Sequence, residues 1–294
     1  MPIYNLSGNS IQNSYNLSAE TVKTNYDVNG GAIYGIYSNY TITTLFDNGG
    51  ASDWIQATAY YDGVIFQFTE GKFKTLDLTG ASISSGYITE TTFGHANSAQ
   101  FSTEFYDPSD RFPLLYVSTY NLTPNYTRVY RMTTTTATLI RSILMDITED
   151  GYCLESCIDS ENGFLYTIGY KEDNPVTETA GNVIVITKRD LNNLTDNGGG
   201  IYTAPLLNRI ECDYWLYRAQ ACTYYDGYIW ATFGGGAAPN NFYAINPNTG
   251  NKDYTMTIQN TVEPEGVAWV LDQTGSPWLL IGQQHNLYQK CTFD

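Results

Sequence analysis

Positive charge is scarce in this chain: 14 Lys and Arg stand against 30 Asp and Glu, a formal net charge of −16 over 294 residues. So acidic a surface repels phosphate backbones and anionic headgroups, which argues against nucleic acid and membrane as partners. Histidine is nearly missing, with two residues, and the five cysteines include no Cys-x-x-Cys pair. A structural zinc site is therefore not expected. The odd cysteine count and the lack of a signal peptide speak against a disulfide framework, so the thiols read as small core residues. No run of 18 apolar residues exists to cross a membrane as a helix. Helix-period apolar stripes longer than about two turns are missing as well, whereas strand-like alternation is everywhere. Catalytic signatures are also lacking: there is no Gly-x-Ser-x-Gly elbow and no His-Glu-x-x-His. Gly234-Gly235-Gly236 follows a strand pattern but precedes no helix pattern, so it is not a phosphate loop. Gly198-Gly199-Gly200 reads as a flexible loop.

What is present is repetition. Gln56–Phe66 (QATAYYDGVIF) returns 164 positions later as Gln220–Trp230 (QACTYYDGYIW), identical at seven of eleven positions. The unit reads as a strand, a tight Asp-Gly turn and a second strand, because Asp-Gly tolerates the positive φ of a two-residue hairpin. Looser copies begin at Asn97, Glu155 and Glu265, which gives five units spaced 41, 58, 65 and 45 residues apart. Blades of a β-propeller run about 40–50 residues with four strands each. The two long spacings require insertions near 171–180 and 195–200. The fifth unit lacks a fourth strand, and Thr41–Phe46 is a spare strand ahead of the first. An unpaired edge is a liability, so that spare strand is expected to close the ring beside Asn286–Phe293. The pattern predicts an all-β chain: an attachment segment over 1–36 and a five-bladed β-propeller over 37–294. Units Gln56–Phe68, Gln220–Phe233 and Glu265–Gly282 resemble those of five-bladed propeller proteins. The stretches His95–Phe101 and Asp110–Val117 are similar to a pattern in uncharacterised proteins of gut bacteria and their phages, with which no activity travels.

A smaller repeat opens the chain. Tyr4-Asn5-Leu6, Tyr15-Asn16-Leu17 and Tyr26-Asp27-Val28-Asn29-Gly30 recur with a period of 11. Three such units cannot bury a core alone, so they are expected to pack in an assembly. A homo-oligomer, most simply a trimer, is the expectation. The tract resembles the short YDVNG-type repeats at the start of proteins carried by prophages of gut bacteria. That resemblance implies attachment to other virion or surface proteins, and a virion or extracellular location.

Side chains two apart on a strand share a face. If the five unit-start residues face a central channel, Gln56, Asn97, Glu155, Gln220 and Glu265 form one ring. Trp54, His95, Cys153, Arg218 and Glu263 form a second ring nearer the mouth. Three readings stay open for this concentration of polar groups. The first is a hydrated channel whose side chains satisfy water and backbone. The second is a glycan pocket with Trp54 as stacking platform and His95, Asn97, Arg218 and Glu263 as polar partners. The third is a metal or catalytic centre: Glu155, Glu265, Gln56 and Gln220 offer oxygens to calcium, and Glu155 with Glu263 or Glu265 offers a carboxylate pair for glycoside cleavage. The expected function is recognition of a host cell-surface glycan by a phage tail or extracellular receptor-binding protein. The alternatives are a polysaccharide-degrading enzyme and a virion scaffold.

Overall fold

The computed structural model describes residues 3–4, 10–11, 40–48, 55–88, 95–120, 124–235, 238–258, 262–272 and 274–293. The chain divides into two compact units, Met1–Thr41 with Phe293–Asp294, and Ile42–Thr292. In the first, Ile3–Tyr4 and Ser10–Ile11 pair antiparallel, Ile3 opposite Ile11. The rest of the period-11 tract lies outside the described residues, as does Trp54.

In the second unit the described strands fall into one ten-stranded sheet and three four-stranded sheets. The larger one contains two four-stranded antiparallel meanders, here sheets one and two, joined by a parallel pairing of Tyr87–Ile88 with Thr136–Ala137. The strands run consecutively except in sheet three, which skips the ribbon 195–203, and in the last. Sheet one holds Ala57–Tyr61, Val64–Thr69, Lys72–Leu76 and Ser82–Ile88. Sheet two holds His95–Phe101, Leu115–Tyr120, Asn125–Met132 and Thr136–Met145. Sheet three holds Tyr152–Asp159, Phe164–Tyr170, Ile184–Asp190 and Leu206–Glu211. Sheet four holds Ala219–Tyr225, Tyr228–Gly235, Ala238–Ile245 and Lys252–Ile258. Sheet five takes Gly266–Leu271, Pro277–Gln283 and Leu287–Phe293 from the end of the chain, and its outermost strand is Tyr40–Asp47. Phe46 from that strand lies 4.8 Å from the Tyr288 ring, and Asn48 N donates to Asn286 O at 3.3 Å.

The first strand of each sheet touches the first strand of the next, and that of sheet five touches that of sheet one. This inner ring explains the apolar second strands. Each sheet is covered on both faces by its neighbours, so alternation gives way to continuous burial; every residue of Tyr228–Gly235 is buried. The core is accordingly a series of layers between sheets. Phe66, Phe73, Phe112 and Tyr130 fill the layer between sheets one and two. Ile65, Trp278, Leu280 and Tyr288 fill that between sheets five and one. The Asp-Gly hairpins adopt the positive φ pair that their sequence calls for: 45° and 78° at Asp62-Gly63, 49° and 83° at Asp226-Gly227. Cys157, Cys212, Cys222 and Cys291 are buried and unbridged.

Two features differ from the sequence reading. The glycines 198–200 are not a loose loop. All three take positive φ and turn a short ribbon, Thr195–Asp196 against Ile201–Thr203, whose second strand runs parallel to Thr136–Met145. A four-residue helix, Ile147–Asp150, also interrupts the strands. It delivers Asp150 into the core, where Arg189 grips both carboxylate oxygens at 2.8 Å.

Candidate functional site

The inner strands are irregular at corresponding places. The ladder register shifts between Ala96 and Ser98, between Tyr152 and Glu155, and between Ala219 and Ala221. An extra residue in one strand re-aims the neighbouring side chains and breaks the alternation. Asn97 and Gln220 are the inserted residues, and Glu155 directly follows its bulge. Gln56 stands just ahead of its strand, its N–H bonded to Phe68 O at 2.9 Å. Glu265 stands just ahead of Gly266 in sheet five.

These five residues differ in their surroundings. Glu155 is fully buried, Glu265 is 4 % exposed, and Gln56 and Gln220 are also buried, while Asn97 is half-buried. Ser98, from sheet two, donates to Glu155 Oε2 and accepts from Cys222 N of sheet four at 2.8 Å. On top of burial, the Glu155 carboxylate charge in turn raises Cys222 of sheet four and Glu265 of sheet five, which places this side chain of sheet three on the inner side of the ring. Burial pushes the Glu155 carboxyl up to about 8, against the opposing pull of Ser98, Asn97 and Ser118. At neutral pH it therefore carries its proton. Its Oε1, like Gln56 Oε1, is buried without a hydrogen-bond partner. Gln220 Nε2 donates to Gly234 O at 2.9 Å.

Toward one end of the ring the groups become accessible. Arg218, 40 % exposed, donates to Glu263 Oε1 at 2.9 Å, and Glu263 is 18 % exposed. Gln284 Nε2 bridges Glu263 Oε2 at 2.5 Å and Glu265 Oε1 at 2.9 Å. Burial, and then the adjacent Glu263, hold Glu265 well above the ordinary carboxylate range. Arg218 sits at φ 41°, a conformation uncommon for any residue other than glycine. Its backbone is fixed there by bonds from its N–H to Pro175 O and from Gly234 N–H to its carbonyl. Gly235, at φ 112°, packs so closely on the Glu263 carboxylate that no Cβ fits. His95 is half-buried, and burial lowers its pKa against the opposing charges of Glu70 and Glu263.

The structure thus brings Arg218, Glu263 and Glu265 into one bonded set, with His95 near Glu263, and places Glu155 deeper with Asn97 beside it. Gln284, Ser98 and Gln100 were not singled out in the sequence, and Gly235, which packs on Glu263, was weighed there only as part of a phosphate loop. Gln284 sits on the turn after the second strand of sheet five, a place that repeat alignment of first strands does not sample. Cys222 is held far above the ordinary thiol range by burial, Cys157 and Glu155, so it is no nucleophile. Among the described residues no three His, Cys, Asp or Glu side chains converge as a metal set. Chemically the accessible end offers a guanidinium on an anchored backbone and a carboxylate pair sharing an amide donor. Away from the centre, a cavity of about 430 Å³ is lined by residues of Glu178–Val183 and Asp213–Trp215.

No protein-family model matches the chain. No curated protein matches it either. Among solved structures, it is similar to the tail fiber of Staphylococcus aureus phage P68, with TM-score 0.51 and 13% identity over 86% of this chain and 52% of that one. It is also similar to a gluconolactonase from Xanthomonas campestris (TM-score 0.41, 9% identity, 88% and 92% covered). A third is a streptogramin B lyase structure (TM-score 0.41, 8% identity, 88% and 100% covered). The chain spans about half the length of the tail fiber it matches. At that identity the likeness concerns the fold, which is all-β and propeller-like.

Proposed function

We propose that the five meanders are the blades of a five-bladed β-propeller, and that the chain is a receptor-binding module of a phage tail or related extracellular apparatus. Its ligand is a glycan on the host surface, taken at the end of the ring where Arg218 emerges. The observation that carries this reading is the contrast around Arg218. The guanidinium is 40 % exposed, while its partner Glu263 is 18 % exposed and Glu265 beyond is 4 % exposed. A donor fork presented on a rigid, buried acidic backing suits hydrogen bonding to sugar hydroxyls and acidic substituents. The propeller-like fold shared with a tail fiber supports the setting. The first unit, with its period-11 tract, would join the module to other virion or surface proteins and to copies of itself.

A second reading has one observation in its favour. Glu265, held above the ordinary carboxylate range by burial and by Glu263 beside it, makes with Glu263 a pairing that could move a proton in polysaccharide cleavage. One experiment separates the two. Purified host surface polysaccharides are titrated against the wild type and Arg218→Ala, with released reducing ends measured alongside. Recognition predicts binding without product, weakened about 10–100-fold in the variant, as for loss of a charged hydrogen-bonding anchor. Product release points to the enzyme, and unchanged affinity in the variant overturns this end of the ring as the site.

A further inference from the structure

We propose that the centre of the ring holds a calcium ion, bound by Glu155 and Glu265 together with the amide oxygens of Gln56, Asn97 and Gln220. Three independent features lead there. The five side chains stand at equivalent places in the repeat, Asn97, Glu155 and Gln220 within the inner strands and Gln56 and Glu265 just ahead of theirs, and bulges at Asn97, at Gln220 and just before Glu155 break the regular alternation there. Two of them carry oxygens for which no donor stands in full hydrogen-bond geometry: Glu155 Oε1, on a fully buried side chain that Asn97 and Ser118 also pull on, and Gln56 Oε1, on one 6 % exposed. Buried acceptors without a donor are uncommon, and each one asks for a water or an ion. The Gln56 oxygen is an acceptor, and the Glu155 oxygen becomes one when the carboxyl gives up its proton to a bound metal, so a cation suits both. Gln220 spends its Nε2 on Gly234 O, which leaves the other end of that amide as an oxygen.

Charge supports the same occupant. Glu155, Glu265 and Glu263 contribute three negative charges when ionised, and Arg218 one positive charge. The sum, −2, matches one divalent cation. The donor set is all oxygen, with two carboxylates and three amides drawn from five separate strands. That is a loose cage with room for water ligands, which suits calcium better than the small, strictly octahedral magnesium ion. The ion would tie all five sheets together at the axis, whatever the module recognises at its end.

The test uses the full chain stripped with EDTA and dialysed, then titrated with CaCl₂ by calorimetry and by thermal unfolding, with MgCl₂ in parallel. The expected result is one calcium per chain, a rise in Tm with added calcium, and a much smaller response to magnesium. Glu155→Gln and Glu265→Gln keep shape and remove charge, and each should weaken calcium on the order of tenfold or more. Gln56→Glu adds a carboxylate to the cage and should tighten it. No calcium binding by the wild type overturns the proposal. So does calcium binding that all three substitutions leave unchanged, which would put the ion elsewhere. If the two Glu variants fail to fold, the wild-type titration and Gln56→Glu decide the matter on their own.

Discussion

Gln100 holds Tyr224 by both ends of one amide: its Oε1 accepts from Tyr224 N at 3.0 Å and its Nε2 donates to Tyr224 O at 3.1 Å. The same amide grips Ile158 in the same way, with both bonds at 3.1 Å. One side chain on the inner strand of sheet two thus stands in for a stretch of ladder between itself and the inner strands of sheets three and four. At this level the inner strands of sheets two, three and four are joined by direct polar links.

Removing that amide leaves two backbone N–H groups and two carbonyls without their partner. Each bond is worth about 0.5–1.5 kcal/mol net, and orphaned groups cost more. Gln100→Ala should therefore destabilise the chain by about 2–4 kcal/mol, read as a lower urea midpoint at unchanged slope. Gln100→Glu should not rescue it, because a carboxylate accepts but cannot donate to Ile158 O and Tyr224 O. A variant with wild-type stability would mean that water replaces the amide at no cost.

Much of the architecture is legible in the sequence, because the signals that encode it are local. Asp62-Gly63 and Asp226-Gly227 mark hairpins by their φ requirement, and the apolar second strands mark sheets covered on both faces. The repeat of Gln56–Phe66 at Gln220–Trp230 marks the first hairpins of sheets one and four. The centre is only partly legible. Arg218, Glu263 and Glu265 can be placed together by aligning first strands, whereas Gln284 comes from a turn and Gly235 from the end of a second strand. Ser98 was invisible for another reason. Simple alternation puts it on the opposite face from Asn97, and the bulge at Asn97, which no residue type announces, turns it to Glu155. The ribbon 195–203 was missed because its two strands are too short to show a period.

Among the described residues the Arg189–Asp150 pair is the most deeply buried charge pair, with side chains 2 % and 0 % exposed. Arg189 also donates to Ala204 O at 2.8 Å, and Thr187 Oγ1 donates to Asp150 Oδ1 at 2.7 Å. Breaking a buried pair from one side strands a charge and costs about 3–5 kcal/mol, whereas replacing both members by apolar groups is far milder. Asp150→Ala should thus be more damaging than the double variant Asp150→Ala with Arg189→Met. Denaturant unfolding of the two singles and the double closes that cycle. Equal losses in the single and the double would show that packing, and not charge, holds the helix to sheet three.

Gly235 is the backing of the Arg218–Glu263 pair. Its φ of 112° is closed to most side chains, and a Cβ there would run into the Glu263 carboxylate. Gly235→Ala should cost about 1–3 kcal/mol in stability from the backbone conformation alone. It should also displace Glu263 from Arg218 and so lower affinity for any ligand of that end. Glu263→Gln separates the effects: it relaxes the charge pair and leaves the backbone untouched. If Gly235→Ala lowers stability but leaves affinity intact, ligand binding does not depend on the position of Glu263.

Glu155 gives the chain a pH dependence with a definite sign. Its carboxyl, raised by burial to about 8 in the folded chain, titrates near 4.3 when unfolded. Below the unfolded value both states hold the proton, and the stability linked to it is fully present. Between the two values only the folded state keeps the proton, so stability falls as pH rises, by about 1.4 kcal/mol per pH unit for one such group. Above the folded value the loss is complete. Glu265, raised in the same direction, adds to the slope, so the metal-free wild type should lose stability steadily from about pH 5 to pH 8. Glu155→Gln mimics the protonated group and removes its share. In EDTA the variant should match the wild type near pH 4.5 and exceed it by a few kcal/mol at pH 8, with a shallower slope between. Chemical unfolding at three or four pH values measures this directly. A variant less stable than the wild type at pH 8 without metal would show that the Glu155 charge is satisfied in the folded chain, and that the carboxyl is ionised where the structure buries it.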